Sequence, residues 1–163
     1  MDFILKVTLR DTFNPAITRT LSVPAETTFL TLHHALQIAF DWDSSHLYAF
    51  RFETPTKYSQ TLLEIVDAVS AEHGMGFNEQ RVDAQVSLGD ILADPTFAGV
   101  NYVNKLVYEY DFGDSWEHLV KIQGRTEPKA HIVCTAGTGR AAIDDCGGAP
   151  GWELGRPQGG VCG

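Results

Sequence analysis

The chain has 163 residues, 44% apolar and 20% charged, enough for one domain with a hydrophobic core and too apolar for a disordered segment. Its formal charge is −9, and its 12 basic residues stand singly, so neither nucleic-acid binding by this chain alone nor attachment to an anionic membrane is expected, since both rest on grouped Lys and Arg. No apolar run approaches the ~20 residues that span a bilayer. The N-terminus lacks the basic start of a signal peptide, and three cysteines without regular spacing fit thiols in a reducing, cytoplasmic setting.

Phe3 to Leu9 alternates apolar and polar residues, and so does Ile17 to Val23 after a turn at Asp11-Thr-Phe-Asn-Pro15. Together they read as an opening β-hairpin. Pro24 stops the second strand, Thr27 or Thr28 offers an N-cap, and Phe29, Leu32, Leu36 and Phe40 fall at helical spacing. An amphipathic helix over 28–40 is expected, laid across the hairpin, with His33 and His34 on its surface. Trp42 and His46 bracket a polar loop before Leu47 to Phe52, a strand. The Trp is expected to close the helix end and the His to bond loop backbone, or the two to face a ligand. Apolar residues at 62, 65, 66 and 69 suggest a helix from Thr61 to His73, ended by Gly74. Met75 to Gln85 reads as a loop, Val86 to Leu92 as a strand residue or two entering a helical turn, and Asp94-Pro95 as its close. The segment 131–163 is glycine-rich and poor in apolar residues; it is expected to be an irregular tail, draped over the sheet or partly mobile.

The stretch from Leu106 to Ile122 carries the strongest pattern: two alternating runs meet at Gly113-Asp114. A two-residue loop would place Asp111 beside Trp116. A three-residue loop over 113–115 instead gathers Leu106, Tyr108, Tyr110 and Phe112 on one face with Trp116, His118, Val120 and Ile122. Because a one-residue slip sends every side chain to the opposite face, the second register is favoured. Its cost is that Asp111 and Glu117 become neighbours on the far face, with Asp114 near the tip. Such like charges call for hydration, a cation or a partner.

Several segments together resemble the plasmid pRiA4b ORF-3-like family, small proteins of bacteria, archaea and fungi, some labelled resolvase-like passengers of mobile elements. They are Leu5-Lys-Val-Thr-Leu9 with Pro15 and Arg19, Val23-Pro24 to Leu32-His33, Phe40-Asp-Trp42 with His46-Leu47 and Phe50, Tyr108-Glu-Tyr-Asp-Phe-Gly-Asp-Ser-Trp-Glu-His118, and Asp145-Cys-Gly-Gly148 with Gly151-Trp152. The resemblance implies a mixed α+β domain and no defined biochemical role. This chain departs from the family pattern at Arg140-Ala-Ala-Ile-Asp-Asp145, where relatives typically read Arg-Ala-Cys-Pro-Pro-Glu-Asp. It departs again after Leu154, where relatives continue into a helix.

Several constellations could carry chemistry. Recombinases surround their nucleophile with arginines, whereas the seven here lie at 10, 19, 51, 81, 125, 140 and 156, one per segment, so DNA resolvase activity is not expected. His131 and Cys134, with Cys146 and Cys162, have only half the paired spacing of a zinc site. A hard cation could use Asp111, Asp114 and Glu117, or Asp144 and Asp145, if those loops approach one another. A small-molecule enzyme would use His118 or His46 as acid/base and Asp111 or Glu117 to orient it, with Trp42, Tyr110 and Trp116 as an apolar wall. Burial among aromatics would equally make His118 a neutral core histidine.

The sequence therefore predicts a single α+β domain, mostly antiparallel, with a β-grasp-like strand-strand-helix-strand opening. The expected function is non-catalytic binding of a protein or small ligand around Trp42, His46, Tyr110, Asp111, Asp114, Trp116 and His118. The alternative is an enzyme at the 108–118 hairpin. No cofactor is favoured, with zinc or another divalent cation the exception to watch.

Overall fold

Period-two alternation becomes strand and 3.6-residue spacing becomes helix over most of the chain. The computed structural model describes residues 1–74 and 78–155. In chain order the elements are β1 (Asp2–Leu9), β2 (Thr18–Val23), α1 (Phe29–Ala39), β3 (Tyr48–Glu53), β4 (Thr61–Val66), α2 (Ala68–His73), β5 (Gln80–Val82), α3 (Leu88–Leu92), α4 (Pro95–Ala98), β6 (Lys105–Tyr110), β7 (Trp116–Thr126), β8 (Val133–Thr138) and α5 (Gly148–Gly155). One eight-stranded sheet runs in the order β5-β4-β3-β6-β7-β1-β2-β8. Among the described strands only β4 and β5 pair in parallel. The fold is α+β.

The opening follows the expected β-β-α-β order, but β3 pairs with β6, and β1 joins the rest through β7. The hairpin β6-β7 is thus the middle of the sheet, with three strands on either side. Inward residues Leu5, Val7, Leu9, Phe50, Phe52, Leu106, Tyr108, Tyr110 and Trp116 form one buried cluster with Phe29, Leu32 and Leu36 of α1. Thr28 caps α1 by accepting from the backbone N–H of Thr31, the role that its position before an apolar helical run suggests. The helix reaches beyond the opening hairpin: Phe29 packs edge-on against Phe50 and Phe52 of β3, while Arg19 of β2 donates to the Ala39 carbonyl.

The hairpin sorts its faces as expected and misses the expected register by two residues. Tyr110 lies opposite Trp116, Tyr108 opposite His118 and Leu106 opposite Val120. The strand ends early because Asp111 takes a left-handed conformation, φ 58°, and its Oδ1 accepts from the backbone N–H groups of Gly113 and Asp114, a side-chain-closed turn. Phe112 is consequently left 49% exposed. The acids that meet on the far face are Glu109 and Glu117, not Asp111 and Glu117. Arg51 of β3 bridges them, at 2.6 Å from Glu109 and 3.1 Å from Glu117, and Arg10 adds a 2.8 Å contact to Glu117.

Three further expectations are corrected. Residues 61–66 are strand, because Leu63 and Ile65 point alternately into the core beside β3; a helix begins only after Asp67, whose carboxylate accepts from Ser70 N–H. His33 is not on the helix surface but buried, stacked on Tyr48 at 3.5 Å with Nδ1 2.7 Å from the Tyr108 hydroxyl. The 131–163 segment is not an irregular tail as far as it is described, since β8 adds to β2 and α5 buries Trp152. Residues 75–77 of the expected loop, and 156–163 with Cys162, lie outside the described residues.

Candidate metal centre

Three loops meet at one edge of the aromatic cluster. The 41–47 loop is pinned from α1: Gln37 accepts from Ser44 N–H through Oε1 and donates through Nε2 to the Tyr108 hydroxyl. His33 completes this chain, accepting from Tyr108 at Nδ1 and placing Nε2 3.4 Å from Ser44 Oγ, the tautomer following from the network. Burial lowers the His33 pKa to about 4, and neighbouring His34 adds to the effect, so the imidazole stays neutral. Trp42 stacks on Tyr110 at 5.0 Å and donates from Nε1 to the Ala142 carbonyl. That bond anchors the 140–147 loop to the 41–47 loop. The hairpin turn is fastened to the same loop by Gly147 N–H, which donates to Asp114, and by Gly148, at φ 69°, whose missing Cβ lets the Asp114 carbonyl approach.

These fastenings bring His46, Asp111, Asp144 and Asp145 together, with one ligand atom from each lying within 4.8 Å of the others. His46 Nε2 stands 3.5 Å from Asp111, 3.6 Å from Asp144 and 2.9 Å from Asp145. It is sealed from solvent, and its shortest contact is the 2.9 Å approach to Asp145. The nitrogen aims between the carboxylates. Burial pulls the His46 pKa down, but the Asp111, Asp145 and Asp144 charges and the close contact with Asp145 outweigh it and the net shift is upward. Tyr110 holds the far oxygen of Asp144 through its hydroxyl at 2.9 Å, and its own pKa is pushed up to about 12, chiefly by burial. Asp111 and Asp145 both sit at positive φ, a cost borne where loop closure imposes it. The cluster opens outward on the Asp145 side, where that side chain is 69% exposed.

Of the residues singled out from sequence, Trp42, His46, Tyr110 and Asp111 line this centre or support it, and Asp114 fastens it. Trp116 and His118 lie behind it in the core. His118 is fully buried, its Nδ1 donating to the Tyr108 carbonyl, and burial lowers its pKa to about 4. Glu117 is on the opposite face with Arg10 and Arg51. His118, Asp111 and Glu117 therefore share no site. Each of the two acidic sets considered for a hard cation supplies part of the cluster: Asp111 from the hairpin, Asp144 and Asp145 from the later loop. Among the described residues His131, Cys134 and Cys146 do not join a ligand group. Cys134 is exposed on β8.

No helix among the described residues is long and apolar enough to cross a membrane. Comparison with known proteins places the chain among relatives of undefined role. It is 32% identical over 158 residues to the uncharacterized protein y4hQ of Sinorhizobium fredii (strain NBRC 101917 / NGR234), covering 91% of this chain and 68% of that one. It superimposes, with a TM-score of 0.71 and 29% identity, on the crystal structure of MM3350, a protein of unknown function from Methanosarcina mazei Go1, over 94% of this chain and 78% of the other. The sequence matches the family description from residue 2 to residue 154, nearly its full length and including every loop that builds the cluster: the chain belongs to the plasmid pRiA4b ORF-3-like protein family.

Proposed function

We propose that this protein is a ligand-binding domain built around a divalent cation held by His46, Asp111, Asp144 and Asp145. One observation carries the reading: a solvent-sealed imidazole nitrogen stands 2.9–3.6 Å from an oxygen of each of three carboxylates. A dication satisfies all four groups together, where a single proton on the imidazole answers one line of contact. One nitrogen and three carboxylates suit a borderline-hard ion such as Mn²⁺, Fe²⁺ or Zn²⁺ better than a thiolate-seeking one. Four monodentate donors leave positions open in a six-coordinate ion, which suits ligand capture. The binding reading is also supported by the enclosure of the aromatic face. Phe40 and Trp42 cover His118, so that histidine has no path to a substrate.

The test is calorimetric titration of metal-stripped protein with MnCl₂ and ZnCl₂. One ion per chain is expected, with His46→Ala and Asp145→Asn each weakening binding at least tenfold and Cys134→Ser leaving it unchanged. At a hundredfold excess over Kd, binding should stabilise the fold by about 2.7 kcal/mol. Absence of stoichiometric binding, or binding indifferent to His46, refutes the reading.

A further inference from the structure

Beside the cluster, and separate from it except for a shared wall at Asp144, lies a groove of about 390 Å³ lined by Asp41, Arg140, Ala142, Ile143, Asp144 and Trp152. That volume is at the lower end of small-molecule sites. Its charges are arranged unusually for a protein of net charge −9. Arg10, Arg51 and Arg81 pair with carboxylates, Arg19 donates to backbone carbonyls, and Arg125 covers the Phe3 ring. Arg140 has no such partner among the described residues, and Asp41, on the same groove, makes no ion pair either. The two opposite charges line one cavity without reaching each other. Asp144 does not serve as the missing partner, because its oxygens face Tyr110 and His46. The apolar part of the lining comes from Ala142, Ile143 and Trp152, of which Ile143 is the exposed one.

We infer that this groove binds a small zwitterion of the amino-acid class, its carboxylate on Arg140, its ammonium on Asp41 and an apolar side chain against the exposed Ile143. A guanidinium offers a fork of donors matched to a carboxylate, and Asp41 accepts from an ammonium. A ligand with both charges satisfies both walls at once, whereas a simple anion would face the Asp41 carboxylate unpaired. Asp41, just after α1 at φ 59°, lines the groove together with the 140–144 segment. This inference takes the protein to be a binding domain but does not depend on the cation centre.

Binding is read by calorimetry with L-leucine, 4-methylpentanoate (which lacks the ammonium) and 3-methylbutylamine (which lacks the carboxylate), each in EDTA and again with excess MnCl₂. Leucine is expected to bind in at least one condition, at least tenfold tighter than either truncated analogue. Removing either charge-assisted hydrogen bond should weaken affinity about 10- to 100-fold. Arg140→Ala should weaken leucine and 4-methylpentanoate but not the amine, and Asp41→Asn, which tolerates the left-handed backbone, should do the converse. Both positions are exposed, so the variants are expected to fold, which circular dichroism checks. No leucine binding in either buffer overturns the inference, as does binding that ignores both substitutions. Because Mn²⁺ binding is scored separately, failure here leaves the cation reading standing, and the reverse also holds.

Discussion

Replacing His118 with Phe should make the protein less sensitive to acid. His118 is fully buried and ringed by Phe40, Trp42 and Tyr108, and burial lowers its pKa from 6.5 to about 4 against the weaker upward pull of its backbone hydrogen bonds. With the folded pKa below the unfolded one, the unfolded chain binds more protons between pH 4 and pH 6.5. This stability is therefore fully present above pH 6.5 and drains away as pH falls towards 4. At pH 5 an unfolded histidine is nearly all protonated while the folded one is about 90% neutral, so each such residue removes about 2 kcal/mol between pH 7 and pH 5. His33, held near 4 by burial, acts the same way, and the pair together account for about 4 kcal/mol, a large share of the 5–15 kcal/mol of an ordinary domain. His46 works oppositely: its raised pKa adds stability at low pH and loses it as pH rises through the folded value. That contribution is common to both proteins and cancels in the comparison. Urea unfolding at pH 7, 6 and 5 should show the wild type losing about 2 kcal/mol more than His118→Phe across the range, whatever the variant's absolute stability. Losses equal within about 0.5 kcal/mol would refute the assignment of His118 as a neutral core residue.

Arg51→Ala should cost about 3 kcal/mol, because it leaves Glu109 without its cation on a largely covered patch with Glu53 close by, while Glu117 keeps only Arg10. Glu109→Gln in the same background should recover part of the loss in a double-mutant cycle, and additivity would count against the bridge. Gly148→Ala must push a Cβ into the Asp114 carbonyl at a backbone of φ 69°, so it should lower stability by about 1–3 kcal/mol and weaken Mn²⁺ binding by loosening the loop that carries Asp144 and Asp145. Cys134→Ser, at an exposed position on β8, serves as the control in the same thermal and calorimetric assays, and equal effects at the two positions would remove the fastening role.

The periodicity of the chain by itself determined the greater part of the strands, the first helix with a cap at Thr27 or Thr28, and the sorting of rings from carboxylates on the central hairpin. These are local properties, set by where successive side chains point. The two-residue error in register has a local cause too, an Asp111 side chain that closes the turn on its own backbone, but alternation is blind to it because a shift of two preserves both faces. The 61–66 segment is read wrongly as helix because its apolar residues fit either period, and pairing with β3 decides between them. His33 and Arg51 look like surface residues until a tyrosine hydroxyl and two glutamates arrive from strands far along the chain. The candidate centre belongs wholly to this second category. His46, Asp111 and Asp144 are remote in sequence and follow no common spacing. Only the sheet order, the Trp42 bond to Ala142 and the close approach at Gly148 bring their charges together, at separations that no repeat in the sequence encodes.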